Sequence, residues 1–350
     1  MYPKRAVYVV LAVVITLIGV TLFVKRDNGP TEPNRQMDSG KLQPTAIVPN
    51  SRIWISGPID EPTRVHLDSM LFTPFDVDLV GGDFYISDYP TKVLRFDSSG
   101  RFINRIISGS GSAPGELLDY NDIEVIDRFV YVVGTNSRVI SKYSINGVHI
   151  ENYPVSFLPS KIFPLGDSLI VSGVGAGSPL HTLSLDGKTG LSFGDLIAQQ
   201  GSALETIGRY AQVDDETFVY ASYRASYLIW LDRFGNAKRI LQTFGKRPFP
   251  GGTTFSSDKN VTVFKAPDQA VKVFDLEENN GLLWVSTIVG GEPTYTIYDA
   301  YNALSGEYIA SQRVNKKLLG FDVGDDEIFA ASDTSIVKID ISKIHTFIAN

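Results

Sequence analysis

Past residue 50, apolar positions recur in short runs of two-residue period, separated by Gly, Asp and Asn turns. Runs such as Phe84–Ile86, Val130–Val132 and Phe218–Tyr220 read as strands packed on a core rather than helices. Three stretches share one order: apolar strand, acidic or Gly turn, aromatic strand, polar turn, apolar strand, Gly turn. They are FDVDLVGGDFYISDYPTKVLRFDSSGRFINRI at 75–106, NDIEVIDRFVYVVGTNSRVISKYSINGVHIENY at 121–153 and YAQVDDETFVYASYRASYLIWLDRFGNAKRIL at 210–241. Weaker copies cover 161–190, 271–311 and 318–342. A Gly stands in the hairpin before the last strand at 100, 147, 187, 235 and 306, where a tight turn requires positive φ. The spacings are 47, 40, 48 and 71, and the 71 marks an insertion within 246–262 or 287–294. Six copies give roughly 49 residues each, the size of a four-stranded propeller blade. No amphipathic helix longer than three turns follows residue 24, so a parallel α/β fold, which needs crossover helices, is excluded. The pattern predicts an all-β fold, a six-bladed β-propeller over residues 51–350.

The N-terminus has a different pattern. After a short tail, 1–5, residues 6–24 (AVYVVLAVVITLIGVTLFV) hold nineteen positions without a charge. As a helix they span roughly 28 Å, close to a bilayer's hydrocarbon thickness. Lys4 and Arg5 precede the run, Lys25 and Arg26 follow it, and no A-x-A cleavage pattern comes after. The reading is an uncleaved, single-pass signal-anchor helix in the inner (cytoplasmic) membrane. The basic tail stays inside, and the propeller lies in the periplasm or outside the cell. Residues 25–50, rich in Pro and amides, read as a flexible linker.

Charge narrows the partners. The 350 residues carry 32 basic and 39 acidic side chains, and all four charges in the first 26 residues are basic. The body therefore keeps 28 basic against 39 acidic residues, a formal −11, which repels phosphate backbones and argues against nucleic acid. Zero Cys excludes disulfides, a thiol nucleophile, cysteine-bound metal and a lipoprotein anchor. The four His (His66, His149, His181, His345) never share a motif, and no HExxH, EF-hand ladder or G-x-S-x-G elbow occurs. SGVGAGS at 172–178 precedes Pro179 and a strand rather than the helix a dinucleotide loop needs. Asp76, Asp78, Asp122, Asp214 and Asp322 stand in or beside innermost strands, where Asp serves either as a channel cation ligand or as a routine turn residue. No cofactor, no metal and no catalytic residue is assigned.

The segment FYISDYPTKVLRFDSSGRFI resembles an NHL-type propeller blade, and GSGSAPGELLDYNDIEV at 109–125 is similar to the Gly-rich link before a blade in that group. The likeness to six-bladed, NHL-like propellers of bacterial envelope proteins runs over about 51–344 and is strongest at 75–155. It implies a fold that hosts scaffolds, sensors and a few enzymes. Lyases of this kind would need several channel histidines, and lactonase-type members hold calcium with Glu, Asn and Asp around the channel.

The expected function is a membrane-anchored binding or scaffolding module for a protein, peptide or glycan ligand. The alternatives are a metal-dependent hydrolase or lyase working in the central channel, and an envelope sensor or assembly partner. Equivalent turns of every blade share a face, so the loops joining blades and the middle hairpins crowd one end of the ring. Candidate ligand-binding residues there are Tyr89, Lys92, Asn136, Arg138, Tyr223 and Arg224 from the hairpins, with Arg247 and Phe249 from the long 242–262 loop. Asp122 and Tyr210 join them where inner strands begin. For closure, RIWIS at 52–56 or TRVHL at 63–67 should supply the last blade's outer strand, with the tail HTFIA as competitor.

Overall fold

The structure, a computed structural model, describes residues 44–89, 92–107, 109, 111, 113, 115–174, 178–185, 187–198, 207–223, 225–244, 255–256, 262–263, 272–290 and 294–348. The chain divides into two compact units, Lys41–Pro250 with Gln269–Asn350, and Met1–Gly40 with Gly251–Asp268.

In the larger unit two short strands, β1 (Ala46–Ile47) and β2 (Thr63–Arg64), precede the first blade. Blade one is β3 (Pro74–Val80), β4 (Asp83–Asp88), β5 (Lys92–Phe96) and β6 (Phe102–Ile107). Blade two is β7 (Asp122–Ile126), β8 (Phe129–Gly134), β9 (Val139–Ser144) and β10 (His149–Pro154). Blade three is β11 (Leu158–Leu165), β12 (Ser168–Val174), β13 (Leu180–Ser184) and β14 (Thr189–Phe193). Blade four is β15 (Gly208–Asp214), β16 (Thr217–Ser222), β17 (Tyr227–Asp232) and β18 (Ala237–Gln242). The described part of the smaller unit is one antiparallel pair, β19 (Phe255–Ser256) with β20 (Thr262–Val263). Blade five is β21 (Lys272–Asn279), β22 (Leu282–Val289), β23 (Tyr295–Asn302) and β24 (Tyr308–Val314), and blade six starts with β25 (Phe321–Val323), β26 (Glu327–Ser332) and β27 (Ser335–Asp340).

Each blade is an antiparallel meander, and the innermost strands β3, β7, β11, β15, β21 and β25 each touch the two beside them, which closes a six-bladed β-propeller. Second strands lie between neighbouring blades on both faces; β16 is buried along its whole length. The core is accordingly six separate apolar clusters, one at each blade junction. Val77, Ile86, Ala331 and Ile336 join blade one to blade six, for example, and Val219, Trp230, Leu283 and Tyr301 join blade four to blade five.

The repeated glycine has a double reason. Gly100 and Gly147 take φ of 84° and 81°, in the left-handed region that costs other residues roughly 1–2 kcal/mol. A Cβ on Gly100 would also lie 1.8 Å from the His66 carbonyl oxygen, and one on Gly147 2.4 Å from that of Arg105. Arg105 is in the outer strand of blade one, so the outer turn of blade two seats directly on it. Gly187, Gly235 and Gly306 repeat this against Tyr153, Phe193 and Arg239 of the preceding blade. The periodic Gly is thus a blade-to-blade contact as well as a turn.

Closure uses the N-terminal segment, and more of it than one strand. Thr63 and Arg64 pair antiparallel with Lys338 and Val337, so TRVHL completes blade six. RIWIS does not; it lies beside blade five, where Trp54 and Ile59 form parallel bridges with Ser311 and Val314. HTFIA fails as donor because the Asp340 carboxylate accepts from the Ser342 N–H (2.8 Å) and turns the chain into helical turns at Ser342–Ile344 and His345–Ile348. Farther upstream, Ala46 and Ile47 add a parallel fifth strand to blade four, inside the stretch read as linker. Residues 45–64 therefore run as a strap across the outer edges of three successive blades, covering strand edges that would otherwise template aggregation.

The 6–24 segment lies outside the described residues, among which no helix is long and apolar enough to cross a membrane.

Candidate functional site

Register places one residue of each inner strand at an equivalent level, just ahead of a buried apolar side chain. Asp76, Asp122, Lys161 and Asp275 sit opposite Ser87, Val133, Ser172 and Ser286 of their second strands, and Arg209 sits opposite Ala221. Blade six has Gly320 here, where a Cβ would lie 2.0 Å from the Asp76 carboxylate, so only glycine leaves room for it. Two residues farther along the strands come Asp78, Glu124, Glu277 and Asp322. Two tiers of charge thus line the ring's axis, the first mixed and the second purely acidic.

The first tier is paired. The Lys161 ammonium binds the Asp122 carboxylate and lies 3.7 Å from Asp76, joining three blades. The other Asp122 oxygen accepts from the Ile162 N–H at 2.8 Å. Arg209 Nε donates to the Phe274 carbonyl at 2.8 Å and stands 3.2 Å from Asp275, joining blades four and five. Burial pushes Asp122 up to about 6, against the pull of Lys161 and the Ile162 N–H. Burial also works against the Lys161 charge, but Asp122, Asp76 and Asp275 together hold its pKa well above that of a free lysine. A lysine kept cationic is a salt-bridge centre, not a nucleophile or base.

Among the described residues the second tier has no cation of its own. Burial, and then the neighbouring carboxylates, raise Asp78, Glu124 and Glu277 well above the ordinary range. Burial lifts Asp322 to about 6, opposed by N–H donors from Leu79 and Val323. These four residues are half-buried, deep in the ring. Protonated carboxyls in this tier are hydrogen-bond donors.

Over the first tier stands Tyr223, half-buried in the middle hairpin of blade four. Its ring lies 5.3 Å from the Arg209 guanidinium, and its hydroxyl is within electrostatic reach of Lys161, Asp275, Asp122 and Asp76. Asp122 and Tyr223 among the sequence candidates are thereby brought together. Tyr210 stacks on Phe163 (5.1 Å, 9°) in the junction between blades three and four, beside the axis rather than in it. Tyr89, Lys92, Asn136 and Arg138 occupy the loop face at blades one and two. Asn136 is held there by the Asp119 carboxylate, and Arg138 is exposed with φ of 52°. Arg224, Arg247 and Phe249 lie outside the described residues. Of the five inner-strand aspartates, Asp76, Asp78, Asp122 and Asp322 converge, whereas Asp214 is exposed at the far end of β15.

Around Lys92 the loop face is apolar. Its ammonium lies 4.6 Å from the Phe72 ring centre, and Tyr120 donates its hydroxyl to the carbonyls of Asp88 and Lys92. The Tyr89 N–H donates to the Thr73 carbonyl, tying the hairpin to the loop before blade one. Met70, Phe72, Tyr89 and Leu118 remain exposed from three neighbouring loops.

Among the described residues no group of three or more His, Asp or Glu is arranged to hold a metal ion. The histidines stand away from the axis: His66 is exposed with its carbonyl against the outer turn at Gly100, His181 stacks on Phe157 at 3.9 Å, His149 bonds Asn152 and His345 bonds Asp326.

No protein-family profile and no curated protein sequence matches the chain. Solved structures do, through the fold. A Bacteroides fragilis protein described as exported aligns with a TM-score of 0.52 at 14% identity, over 77% of this chain and 82% of its own. A Bacteroides vulgatus member of the DUF4221 family aligns at 0.50 and 12%, over 81% and 96%. Virginiamycin B lyase from Staphylococcus aureus aligns at 0.50 and 11%, over 80% and 88%. At such identities the likeness is one of fold.

Proposed function

We propose that this chain is a membrane-anchored binding module whose propeller stands outside the cytoplasm and takes a polypeptide ligand on its loop face. The observation that carries the reading is the set of exposed large apolar side chains, Met70, Phe72, Tyr89 and Leu118, gathered from separate loops around Lys92. Isolated exposed apolar residues need no explanation, but a set on one face marks an interaction surface. Flexible Met and aromatic side chains beside a cation suit an apolar peptide segment carrying acidic residues. The nineteen-residue run at 6–24 supports the anchor, and the fold likeness to an exported protein is in keeping with an extracytoplasmic ring. Channel hydrolysis or lysis finds less support, because the axial lysine is locked in ion pairs and the histidines lie elsewhere.

The test compares the full-length chain with a Phe72→Ser/Tyr89→Ser/Lys92→Ala variant on arrays of acidic–apolar peptides and on glycan arrays. Peptide binding that falls at least tenfold in the variant, with unchanged melting, is expected. Glycan binding alone, or peptide binding that the variant retains, overturns the reading.

A further inference from the structure

The third strand of blade three buries a histidine against the link between two blades. His181, in β13, is 3% exposed, and its ring stacks on Phe157 with 3.9 Å between centres and 19° between planes. Nδ1 shares a 2.9 Å hydrogen bond with the hydroxyl of Ser192, its cross-strand neighbour in β14, while Nε2 is buried without a partner. Phe157 is equally buried and is wedged against β12 as well: a Cβ on Gly173 would lie 2.3 Å from its ring, so only glycine leaves room there.

Phe157 belongs to the link between β10 and β11, and that link supports part of the loop face. The Val155 N–H donates to the Arg138 carbonyl at 2.9 Å, and the Thr135 hydroxyl donates to the Pro159 carbonyl at 2.7 Å. The middle hairpin of blade two, with Asn136 and Arg138, therefore rests on a segment whose aromatic anchor is held by the imidazole.

A neutral imidazole suits this place and a charged one does not. Protonation makes both ring nitrogens donors, and an Nε2–H would have no acceptor in hydrogen-bonding geometry. The Phe157 face offers a cation some attraction. The Ser178 backbone also draws the pKa up, but burial outweighs it and leaves the ring below the ordinary histidine value. Opposite the ring, β12 and β14 place Val171 and Ser192, which carry no charge. Blade two contributes Tyr131, Tyr153 and Lys142 with its cross-strand neighbour Glu151, and the Lys142 ammonium is spent 4.1 Å from the Phe129 ring centre. Toward the axis, Asp122 accepts from the Ile162 N–H of β11. Its pKa is raised to about 6, so its protonation on acidification favours the fold and has the opposite sign.

We propose that His181 is a proton-operated latch beneath the loop face, closed on Phe157 when neutral and released when protonated, so that acid loosens the 155–160 link and the blade-two hairpin resting on it. The latch stands apart from the ligand reading above. Its closed form keeps full stability above about pH 6.5, the unfolded histidine value, and loses it as pH falls from there toward the lower folded value.

Hydrogen exchange of the full-length chain, followed by mass spectrometry at pH 7 and pH 5 and corrected for the intrinsic pH dependence of exchange, tests this. Segments 155–160 and 178–184 are expected to open at least tenfold more at pH 5, while β17 stays unchanged. His181→Gln, which cannot take up the proton, should remove the difference. Titration of the four imidazole Cε1–H resonances in the wild type should show one midpoint below the rest, coinciding with the opening. Equal protection at the two pH values overturns the proposal. Opening that His181→Gln retains overturns it too, since another group then carries the effect. Should that variant not fold, the wild type decides alone: four imidazole midpoints alike, or an opening that follows none of them, also overturn the latch.

Discussion

Arg52 is the fixed point of the strap, and its removal should be costly in a way that can be calculated. Its guanidinium forks onto both oxygens of Asp299 at 2.8 and 2.9 Å and lies 4.2 Å from the Phe244 ring centre. The side chains are 21% and 4% exposed, so the pair is largely out of water. Ser311 also donates to Asp299, but a hydroxyl does not neutralise a carboxylate. Arg52→Met leaves that charge buried, a loss of about 3–5 kcal/mol in comparable cases. A cavity of about 10 Å³ beside the pair, lined by Ser226, Thr243 and Thr287 among others, is the size that admits one water. A water there would solvate the orphaned carboxylate and favours the lower end, about 3 kcal/mol. With roughly 300 ordered residues at about 2.1 cal/mol/K each, the unfolding entropy is about 0.6 kcal/mol/K, so Tm should fall by roughly 5 °C. Arg52→Lys, which keeps the charge and loses the fork, should fall between. Asp299→Asn added to Arg52→Met should restore more than half of the loss, because the uncompensated charge is gone. Calorimetry of the four proteins at one pH reads all of this. A drop of less than about 1 °C for Arg52→Met, the range of an ordinary surface change, would refute the argument. Failure of the Asn to rescue would show that packing on Phe244, not charge, holds the strap.

Four other outcomes follow from the geometry. Gly147→Ala, which combines φ of 81° with a 2.4 Å approach to the Arg105 oxygen, should lose about 2–4 kcal/mol in urea unfolding. Gly81→Ala, at φ of 61° with open space around it, should lose only about 1 kcal/mol. Glu124 and Glu277 have folded pKa values raised above their unfolded ones, so their contribution is full below about pH 4 and is lost as pH rises through the folded value. Glu277→Gln should therefore gain on the wild type between pH 5 and 8 as measured by urea midpoints, and a constant difference across that range would count against the acidic tier. A chain beginning at residue 70 should melt lower and aggregate more than one beginning at 45, since it uncovers edges on blades four, five and six; equal melting and monodispersity in light scattering would contradict this.

The fold was legible because its period is written in residues that each repeat needs for the same local reason. Every one of the five turn glycines has positive φ, as the hairpin argument requires, and three strong copies sufficed to place the weak ones. Strap pairing was legible only in part. TRVHL alternates and pairs as a strand, but RIWIS has the same look and ends on a different blade, because parallel edge addition leaves no pattern that names its partner. Corrections at Asp214 and HTFIA have the same origin, an apolar or acidic pattern whose position within its element decides its role.

The axial site shows where reading by single residues stops and reading by repeats could have gone on. Asp76, Asp78, Asp122 and Asp322 were visible as inner-strand acids, but Glu124, Lys161, Arg209, Asp275 and Glu277 were not singled out. The signal was present: acid–apolar–acid triplets stand at Asp76–Asp78, Asp122–Glu124 and Asp275–Glu277, at the same place in three inner strands. A triplet on one strand sends both acids to the same side of that strand, and propeller symmetry sends three such strands to one axis. Six carboxylates converging there must be neutralised by cations or protons. The equivalent positions in blades three and four are Lys161 and Arg209, two cations set among the three first-tier acids. At the second tier the fold holds no cation partner among the described residues, and burial instead pushes the pKa values of its four carboxyls up. Charge along the axis is thus divided by depth, with ion pairs joining blades near the loops and carboxyls of raised pKa toward the outer turns. A ligand reaching in from the loop face would meet Tyr223 and the paired tier first.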